Sequence, residues 1–520
     1  MWASPAVSLR STSPVQFPRT RFNVATLVKL TGLTVVSVFI HGYHLGVEDQ
    51  AIYLPAILKH LDASLFPRDA FFFESQTRLM LLDSIVAGIV RATGIPLAWV
   101  ALGFHVLTIF LLLLASWRIL RRCFVSEPAI WSGLALLMCM LTLPIAGTAQ
   151  YIVDQYLHPR ALATALVLMP IAELLPGVRR SVARTAAWCG LWFALAVAIH
   201  FQIAVFGLCL WTVLSFPSDK KRRVIEWERP AAAAAFLPLL LRVSPAWLEA
   251  ARTRSQHYLL RWEWYEWLGI IAPMFLLWWF GAIARKRGLK TAAWLSRRMA
   301  IFGAVALVGG AALVLPPQFE RLTPLQPMRV FILVYIFMFL LGGGLLGQFV
   351  LRRKTWRWPA VFLPMGFGMF LAAQSLFPAS PHIELPGHVF HNDWTDAFLW
   401  ARSNTPKDAF FALNPKYLSE DGEDYHGFRA WAWRSQMADL DKDPGTVSLV
   451  PSLAPEWQRQ VHALAGWNQF TAKDFSRLQQ EFGVSWVIVE RRLPSGEERK
   501  VPENLDCPYQ NSSLNVCTIR

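Results

Sequence analysis

Long apolar stretches recur along this chain, and they constrain its fold more than any other feature. Spanning a bilayer takes about 20 apolar residues, because unpaired backbone groups are costly in lipid. Stretches of this kind, several of them short, lie at 24–43, 97–117, 130–149, 161–175, 185–198, 201–216, 231–243, 267–284, 299–315, 330–351 and 360–377. The sequence therefore predicts an α-helical polytopic membrane protein with about 11 transmembrane helices.

The composition agrees with this class. Hydrophobic residues make up 54% of the chain and charged residues only 16%, whereas about a quarter of a typical soluble domain is charged. The net charge of +15 raises the question of nucleic acid. The Lys and Arg residues, however, form short clusters between apolar stretches, a pattern typical of topology signals and of contacts with anionic lipid. We expect the lipid bilayer as a partner, and no nucleic acid.

The basic clusters predict the orientation. With eleven spans they all fall on one side, which the positive-inside rule makes cytoplasmic. The segment 79–90 then has to be an interfacial or re-entrant helix on the outer face, because a span there would move every later cluster across the membrane. The sequence thus predicts a cytoplasmic N-terminal tail at 1–23, a transmembrane domain at 24–377 and an extracytoplasmic domain at 378–520.

The pattern of residues 378–520 is that of a soluble α/β domain. The predicted elements are a helix at 391–404, a strand at 409–413, a helix at 475–482, and strands at 484–490 and 513–519. Cys507 and Cys517 lie close together near the end of the chain. On an oxidising side of the membrane they are candidates for a disulfide.

Acidic residues occur in two outer loops beside predicted spans. Glu48 and Asp49 follow the first span, and Asp154 follows the third. A carboxylate at a membrane boundary beside a cavity can act as a general base or hold a cation. The plainer interpretation is a solvated loop charge, and the residue types alone do not separate the two.

Basic and polar residues occupy similar boundaries. His158 and Arg160 precede the fourth span, and Gln326 and Arg329 precede the tenth. An arginine fork matches phosphate oxygens, although an arginine there can equally reach lipid head groups. His200, between two apolar stretches, is either a substrate contact or a hydrogen-bonded core histidine.

The loop 255–267 mixes aromatic residues with Tyr258 and Arg261. This mixture suits sugar or lipid head groups, and an interfacial aromatic belt is the plainer alternative. The sequence contains no phosphate-binding loop, dinucleotide fingerprint or zinc-protease motif. These absences argue against an ATPase, a nucleotide-dependent oxidoreductase and a zinc protease.

In their organisation these features resemble the GT-C superfamily of membrane glycosyltransferases, which use polyprenyl-phosphate-linked sugar donors. The resemblance lies in Glu48-Asp49 after the first span, Asp154 after the third, the outer-face segment 79–90 and a C-terminal extracytoplasmic domain. The pattern at 394–408 also resembles the start of such domains in bacterial relatives. The resemblance implies a multi-pass protein of the bacterial inner (plasma) membrane that acts on the cell envelope.

The resemblance also implies roles for particular residues. Asp49 would be the general base, with Glu48 as the alternative, and Asp154 would orient the acceptor. Arg160 and Arg329 would stabilise the departing lipid phosphate. Some members need a divalent cation such as Mg²⁺ or Mn²⁺, and here Asp49 and Asp154 would hold it. The implied reaction is inverting hexosyl or pentosyl transfer to a glycan or lipid acceptor.

Departures from the most familiar members narrow the acceptor. Gln50 follows the acidic pair where those members carry a further acid, and the tail lacks a W-W-D motif. Both differences disfavour protein N-glycosylation and favour a lipid or polysaccharide acceptor.

Two other functions remain open on the sequence. A transporter or flippase of a lipid-linked substrate predicts internal pseudo-symmetry and intramembrane charges. A non-catalytic membrane scaffold predicts that the two acids Asp49 and Asp154 stay apart from Arg160 and Arg329. One cavity that holds all four residues favours the enzyme.

Overall fold

A computed structural model describes residues 22–176, 181–215, 243–388, 390–493 and 495–520. Most of these residues are helical, and a small sheet lies near the C-terminal end. The α-helices are Val24–His41, Gln50–Leu61, Phe71–Thr77, Leu82–Thr93, Leu97–Cys123, Glu127–Cys139, Pro159–Leu168, Ile171–Leu174, Val182–Ile199, Phe201–Ser215, Pro245–Arg252, Trp264–Lys286, Lys290–Val314, Phe331–Leu346, Arg357–Gln374, Asp393–Asn404, Phe428–Ala432, Asp443–Leu449, Ala454–Ala463 and Ala472–Phe482.

Within the described residues, six helical stretches are long and apolar enough to cross a membrane. They are Val24–His41, Leu97–Cys123, Val182–Ile199, Trp264–Lys286, Lys290–Val314 and Pro317–Leu351. Glu127–Cys139 and Phe201–Ser215 are apolar but shorter. The expected span at 231–243 lies outside the described residues except for its last residue. The chain is therefore a multi-pass membrane protein, and the count of eleven spans stays a prediction.

Two of the expected spans are interrupted. The helix Glu127–Cys139 stops well before the end of the apolar stretch 130–149, and the chain then turns through a 3₁₀ segment at Ile145–Gly147. Pro144 opposes continuation of the helix through this stretch, because a proline disfavours helical backbone in the residue before it, here Leu143. In the stretch 161–175, Pro170 separates Pro159–Leu168 from Ile171–Leu174 in the same way.

The segment expected at the membrane surface is a helix, Leu82–Thr93, which packs against Gln50–Leu61. It ends at Gly94, whose φ of 69° is in the left-handed region that glycine adopts without strain. Asp83 on this helix is buried, and neither of its carboxylate oxygens has a hydrogen-bond partner among the described residues. Burial raises the pKa of Asp83 to about 8, so its carboxyl group is mostly protonated at neutral pH.

Five strands form the C-terminal sheet. They are β1 (Phe410–Ala412), β2 (Ser435–Gln436), β3 (Trp486–Glu490), β4 (Leu505–Gln510) and β5 (Leu514–Ile519), in the order β2-β1-β3-β5-β4. β1 is parallel to both neighbours, while β5 is antiparallel to β3 and β4. The helix and strand pairs predicted at 391–413 and 475–490 are present, with ends shifted by a few residues. Cys507 and Cys517 form a disulfide across β4 and β5.

The C-terminal region contacts the loop at 42–49, which follows the helix Val24–His41. Glu384 accepts hydrogen bonds from His44 Nδ1 (2.8 Å), from His426 Nε2 (3.0 Å) and from the backbone N–H of Leu45 (2.9 Å). Val47 forms a backbone bridge with His426. These hydrogen bonds therefore connect residues that are far apart in the chain and hold them together beside the helix Gln50–Leu61.

A buried ion-pair network makes a second connection between these regions. Arg429 Nε donates to Asp69 Oδ2 at 2.6 Å, and its two Nη atoms donate to the carboxylate of Asp443 at 2.8 and 3.0 Å. All three side chains are almost fully buried. Each charged group has at least one charge-assisted hydrogen bond, as a buried network needs, although Asp69 Oδ1 has no partner among the described residues.

Candidate active site

Loops between the helices and the C-terminal region together line a cavity of about 520 Å³. Three carboxylates and four Lys or Arg side chains line it, together with three histidines. These residues are Glu48, Asp49, Asp154, Arg160, Arg254, Arg329, Lys442, His158, His200 and His257. The cavity is therefore a concentration of charged groups in a largely apolar protein.

Asp49, Asp154, Arg160 and Arg329 all line this one cavity. The helix Glu127–Cys139 ends early, and the chain that follows it approaches the start of the helix Gln50–Leu61. There His158 lies 3.1 Å from Asp49, and Asp154 and Arg160 line the same cavity. His158, His200 and Gln326 line the same cavity. The scaffold alternative predicted that the acids and arginines would stay apart, and their convergence argues against it.

Tyr258 and Arg261 do not line the cavity, so their expected role in substrate binding is not supported. The hydroxyl of Tyr258 donates to Glu320 at 3.2 Å. The Arg261 guanidinium lies over the Tyr258 ring, 4.9 Å from its centroid, and donates to the carbonyl of Arg252. Because the chain forms two short 3₁₀ turns in this loop, the pair packs on the exposed side, while His257 faces inward.

Asp49 lies at the start of the helix Gln50–Leu61, and both of its oxygens have cationic or donor neighbours. His158 Nε2 is 3.1 Å from Asp49 Oδ2, and Lys442 Nζ is 3.6 Å from Oδ1. The backbone N–H of Arg160 donates to His158 Nδ1 at 2.9 Å. The ring proton of neutral His158 is therefore on Nε2, from which it is donated to Asp49.

The charge of Asp49 follows from these neighbours. Burial opposes its ionisation, but the charges of Lys442 and Arg160 and the hydrogen bond from His158 outweigh burial and hold its pKa well below the usual value. The side chain keeps 40% of its surface exposed to the cavity. Asp49 is thus an ionised carboxylate that a bound molecule can reach.

Glu48, directly before Asp49, has an unusual backbone. Its φ is +53°, a left-handed value that non-glycine residues rarely adopt. The backbone N–H of Glu48 donates to the carbonyl of Tyr425 at 2.9 Å, and Glu48 Oε2 forms an ion pair with Lys442. Such a conformation costs of order 1–3 kcal/mol and persists where neighbours over-determine it, which is often the case at functional sites.

Asp154 and Arg160 form a buried ion pair. Arg160 Nη2 donates to Asp154 Oδ1 at 2.6 Å, and each side chain is 3% exposed. Asp154 Oδ2 and Arg160 Nε have no hydrogen-bond partner among the described residues. The pair fixes the orientation of the guanidinium and leaves a donor and an acceptor unused beside the cavity.

Arg329 lies on the opposite wall. Its Nε is buried, and the described part of the chain offers it no hydrogen-bond acceptor. Beside it, Gln326 contacts His257 Nε2 and accepts from Gln150 at 3.0 Å. Burial, together with the charges of Arg329 and Arg254, lowers the pKa of His257 to about 3. His257 is therefore neutral, and Arg329 forms no direct ion pair with an acid among the described residues.

Among the cavity-lining residues that the sequence analysis did not single out are Arg254, Tyr425 and Lys442. None of them is near a span in the way that Asp49 or Arg329 is. Lys442 stands in the run Asp439-Leu-Asp-Lys-Asp443 of the soluble region, where a lysine among acids is ordinarily a solvated charge. No signal in the sequence alone connects it to Asp49.

The donor set does not fit a divalent cation. Asp49 is paired with Lys442 and His158, and Asp154 with Arg160. Nowhere in the described ranges do three or more His, Cys, Asp or Glu side chains form a group that could hold a metal. Mg²⁺ and Mn²⁺ prefer several oxygen ligands, and the paired carboxylates of this cavity do not offer such a set.

No family model matches the chain, and no curated protein matches it. Among solved structures, the chain is similar to the cryo-EM structure of arabinofuranosyltransferase AftD from Mycobacteria, with a TM-score of 0.52 and 13% sequence identity. The match covers 97% of this chain and 40% of the mycobacterial one, so this chain spans less than half of that protein. The likeness at this identity concerns the fold alone: this chain folds like part of that arabinofuranosyltransferase.

Proposed function

We propose that this protein is a membrane glycosyltransferase that moves a sugar from a polyprenyl-phosphate carrier to a lipid or polysaccharide acceptor at the outer face of the membrane. The observation that carries the proposal is the convergence of Asp49, Asp154, Arg160 and Arg329 on one cavity. A carboxylate within reach of two arginines is what transfer from a sugar phosphate requires.

In the proposed reaction the acceptor hydroxyl attacks the anomeric carbon of the donor. The new glycosidic bond forms as the bond from that carbon to the phosphate oxygen breaks, and the configuration inverts. The hydroxyl proton passes to Asp49. The polyprenyl phosphate leaves with the electron pair, and Arg160 Nε and Arg329 donate hydrogen bonds to it. Asp154 holds Arg160 in place and offers Oδ2 to an acceptor hydroxyl.

The neighbours that keep Asp49 ionised also make it a weak base. A weak base accepts the proton late, when the attacking hydroxyl has become acidic through bond formation. Such timing suits an oxocarbenium-like transition state, in which the leaving group departs early. Glu48 is the alternative base, but its ion pair with Lys442 makes it the less available of the two carboxylates.

The donor sugar and the topology complete the proposal. The similar fold of a transferase named for arabinofuranose makes a polyprenyl-phosphate-linked pentose the first donor to test, with hexose donors second. We place the protein in the bacterial inner membrane with about eleven spans, the N-terminus in the cytoplasm and residues 378–520 on the outer side. The acidic pair then faces the outer side, where lipid-linked sugars are displayed.

The test is transfer by purified protein from a panel of radiolabelled polyprenyl-phosphate sugars. We expect Asp49→Asn to lower kcat by about 10²–10⁴-fold without a change in thermal unfolding. Asp62→Asn is the matched control, because Asp62 is an exposed acid outside the cavity that pairs with Lys407.

Each other outcome has a consequence. Full activity of Asp49→Asn would remove this residue as the base and direct attention to Glu48 or Asp154. Absence of transfer by the wild type with every donor would overturn the proposal. Binding of lipid-linked sugar without turnover would then favour the transporter, and absence of binding would favour the scaffold.

A further inference from the structure

We propose that Lys442, which the C-terminal region carries into the cavity, is a positioning residue that orders Glu48 and Asp49; this inference rests on the glycosyltransferase proposed above. Lys442 Nζ forms an ion pair with Glu48 Oε2 and lies 3.6 Å from Asp49 Oδ1. The lysine is 7% exposed and lines the cavity. The C-terminal region is then a part of the active site and not an appended module.

The acidic pair needs a cation of this kind. Two carboxylates on adjacent residues repel each other, and a cation that contacts both offsets this repulsion. A lysine ammonium is a compact point charge with three donors, so one group can serve both acids. Burial opposes the charge of Lys442, but Glu48 and Asp49 outweigh burial and raise its pKa.

The backbone around Lys442 is held in place, which a merely solvated lysine would not require. Asp439 Oδ1 accepts the backbone N–H groups of Asp441 (3.0 Å), Lys442 (2.5 Å) and Asp443 (3.1 Å). The carbonyl of Lys442 accepts from Arg254 Nη2 at 3.2 Å. This turn is therefore anchored from both sides, and it delivers the ammonium group to a defined point.

The geometry divides the roles of the two acids. Glu48 provides the direct counter-ion of Lys442. Asp49 is held between Lys442 at Oδ1 and His158 at Oδ2, which restricts its carboxylate to one orientation. Lys442 acts through these acids, so its removal should slow the chemical step more than it weakens donor binding, which we assign to Arg160 and Arg329.

The experiment compares kcat and KM of the full-length protein for three variants. We expect Lys442→Ala to lose about 10²-fold in kcat, the loss typical of a misplaced catalytic group, with KM for the donor within about twofold of wild type. Lys442→Arg should regain part of the activity. Lys407→Ala is the matched control. Lys407 is also a lysine of the C-terminal region, and it pairs with an acid, Asp62, but at an exposed site.

Chemical rescue separates positioning from a structural role. Ethylammonium chloride should restore part of the kcat of Lys442→Ala, whereas potassium chloride at equal ionic strength should not. Wild-type kcat in Lys442→Ala overturns the inference. A loss that neither Lys442→Arg nor ethylammonium recovers also overturns it, since the lysine would then only support the fold.

Failure of the proposed function looks different, because the wild type itself would then transfer no sugar. A double-mutant cycle on thermal unfolding still tests the pairing in that case. Lys442→Met should lower the Tm by leaving Glu48 without its counter-ion, and adding Glu48→Gln should recover part of the loss. Strictly additive changes in Tm would overturn the ordering of Glu48 by Lys442.

Discussion

At the scale of single residues, the cavity is defined by an imbalance of charge. Glu48, Asp49 and Asp154 line the cavity together with four Lys or Arg side chains, and three ion pairs join the two groups. The three histidines add hydrogen-bonding groups. Arg329 remains without an acidic partner among the described residues. One excess positive charge suits a ligand with one negative charge, such as the phosphodiester of a polyprenyl-phosphate sugar.

The depressed pKa of Asp49 predicts the pH dependence of transfer. A carboxyl group with a lowered pKa stays ionised as the pH falls and is protonated only below the usual aspartate range. We therefore expect kcat/KM to stay level from about pH 7 down to about pH 5. Initial rates across this range are the measurement. A decline that begins above pH 5 would assign the titrating base to a group other than Asp49.

A comparison of variants of Arg329 and Arg261 tests the recognition of phosphate. Both were predicted to bind substrate, but only Arg329 lines the cavity. Arg329→Gln should reduce kcat/KM by about 10²-fold through loss of a charge-assisted donor to the leaving phosphate. Arg261→Gln should stay near wild type. Steady-state kinetics of the two variants decides, and equal losses would contradict the placement of the phosphate beside Arg329.

At the scale of secondary-structure elements, the site depends on helices that stop early. Glu127–Cys139 and Pro159–Leu168 end inside apolar stretches that a continuous helix would have filled. The chain after Glu127–Cys139 lines the cavity from Ala149 onward, and irregular backbone is tolerated beside a cavity in membrane proteins. The short helix Asp443–Leu449 supplies the opposite wall and is anchored by Arg429.

The buried network of Arg429 should dominate the stability of this contact. Arg429→Met leaves Asp69 and Asp443 without their shared partner, and breaking a buried pair in this way costs about 3–5 kcal/mol. Arg459→Met is the control, because its pair with Glu456 is exposed and such pairs contribute about 0–1 kcal/mol. Thermal unfolding in detergent measures both, and similar shifts would contradict the prediction.

The disulfide across β4 and β5 should stabilise the sheet without affecting catalysis. Replacing Cys507 and Cys517 by Ser should lower the free energy of unfolding by about 2–4 kcal/mol. The transfer rate should not change, because neither cysteine lines the cavity. Cys209→Ser, which removes an unpaired thiol, is the control. A loss of kcat at temperatures where the double variant is folded would contradict this separation.

At the scale of the whole molecule, the fold joins a helical membrane part to a C-terminal region whose segment 425–449 lines the same cavity. The loop at 42–49 is the common element, since its residues pair with Glu384, His426 and Lys442. The C-terminal region cannot shift relative to the helices without disturbing Glu48 and Asp49. The C-terminal region is proposed to lie outside the cytoplasm because it contacts this loop, which is proposed to lie on the outer side of the membrane.

Labelling with a membrane-impermeant maleimide tests the topology. Ser495→Cys, exposed near the C-terminal sheet, should react in intact cells. Thr355→Cys, exposed beside the basic cluster at 352–354, should react only after the inner membrane is opened. The unsubstituted protein gives the background of its free cysteines. Labelling of Thr355→Cys in intact cells would reverse the orientation derived from the positive-inside rule.

Features that depend on neighbours in the sequence were predictable. The six long apolar helices, the helix Leu82–Thr93 and the alternation of helix and strand after 391 follow from local hydrophobic periodicity and from glycine and proline signals. The acids and arginines of the site were found because each stands at the end of an apolar stretch. Tyr258 and Arg261 do not line the cavity, because the direction in which a loop turns is not encoded by its composition.

The sequence by itself determined the class of this protein, since apolar stretches of membrane length leave few other folds, and it indicated which loops carry charge. Only the tertiary structure decided the partners of each charge. Lys442 reaches Glu48 and Asp49 from the far end of the chain, and such a pairing depends on the packing of the whole molecule. The ionisation of Asp49 depends on that pairing, because a carboxyl pKa responds to charges within a few ångströms and not to sequence distance.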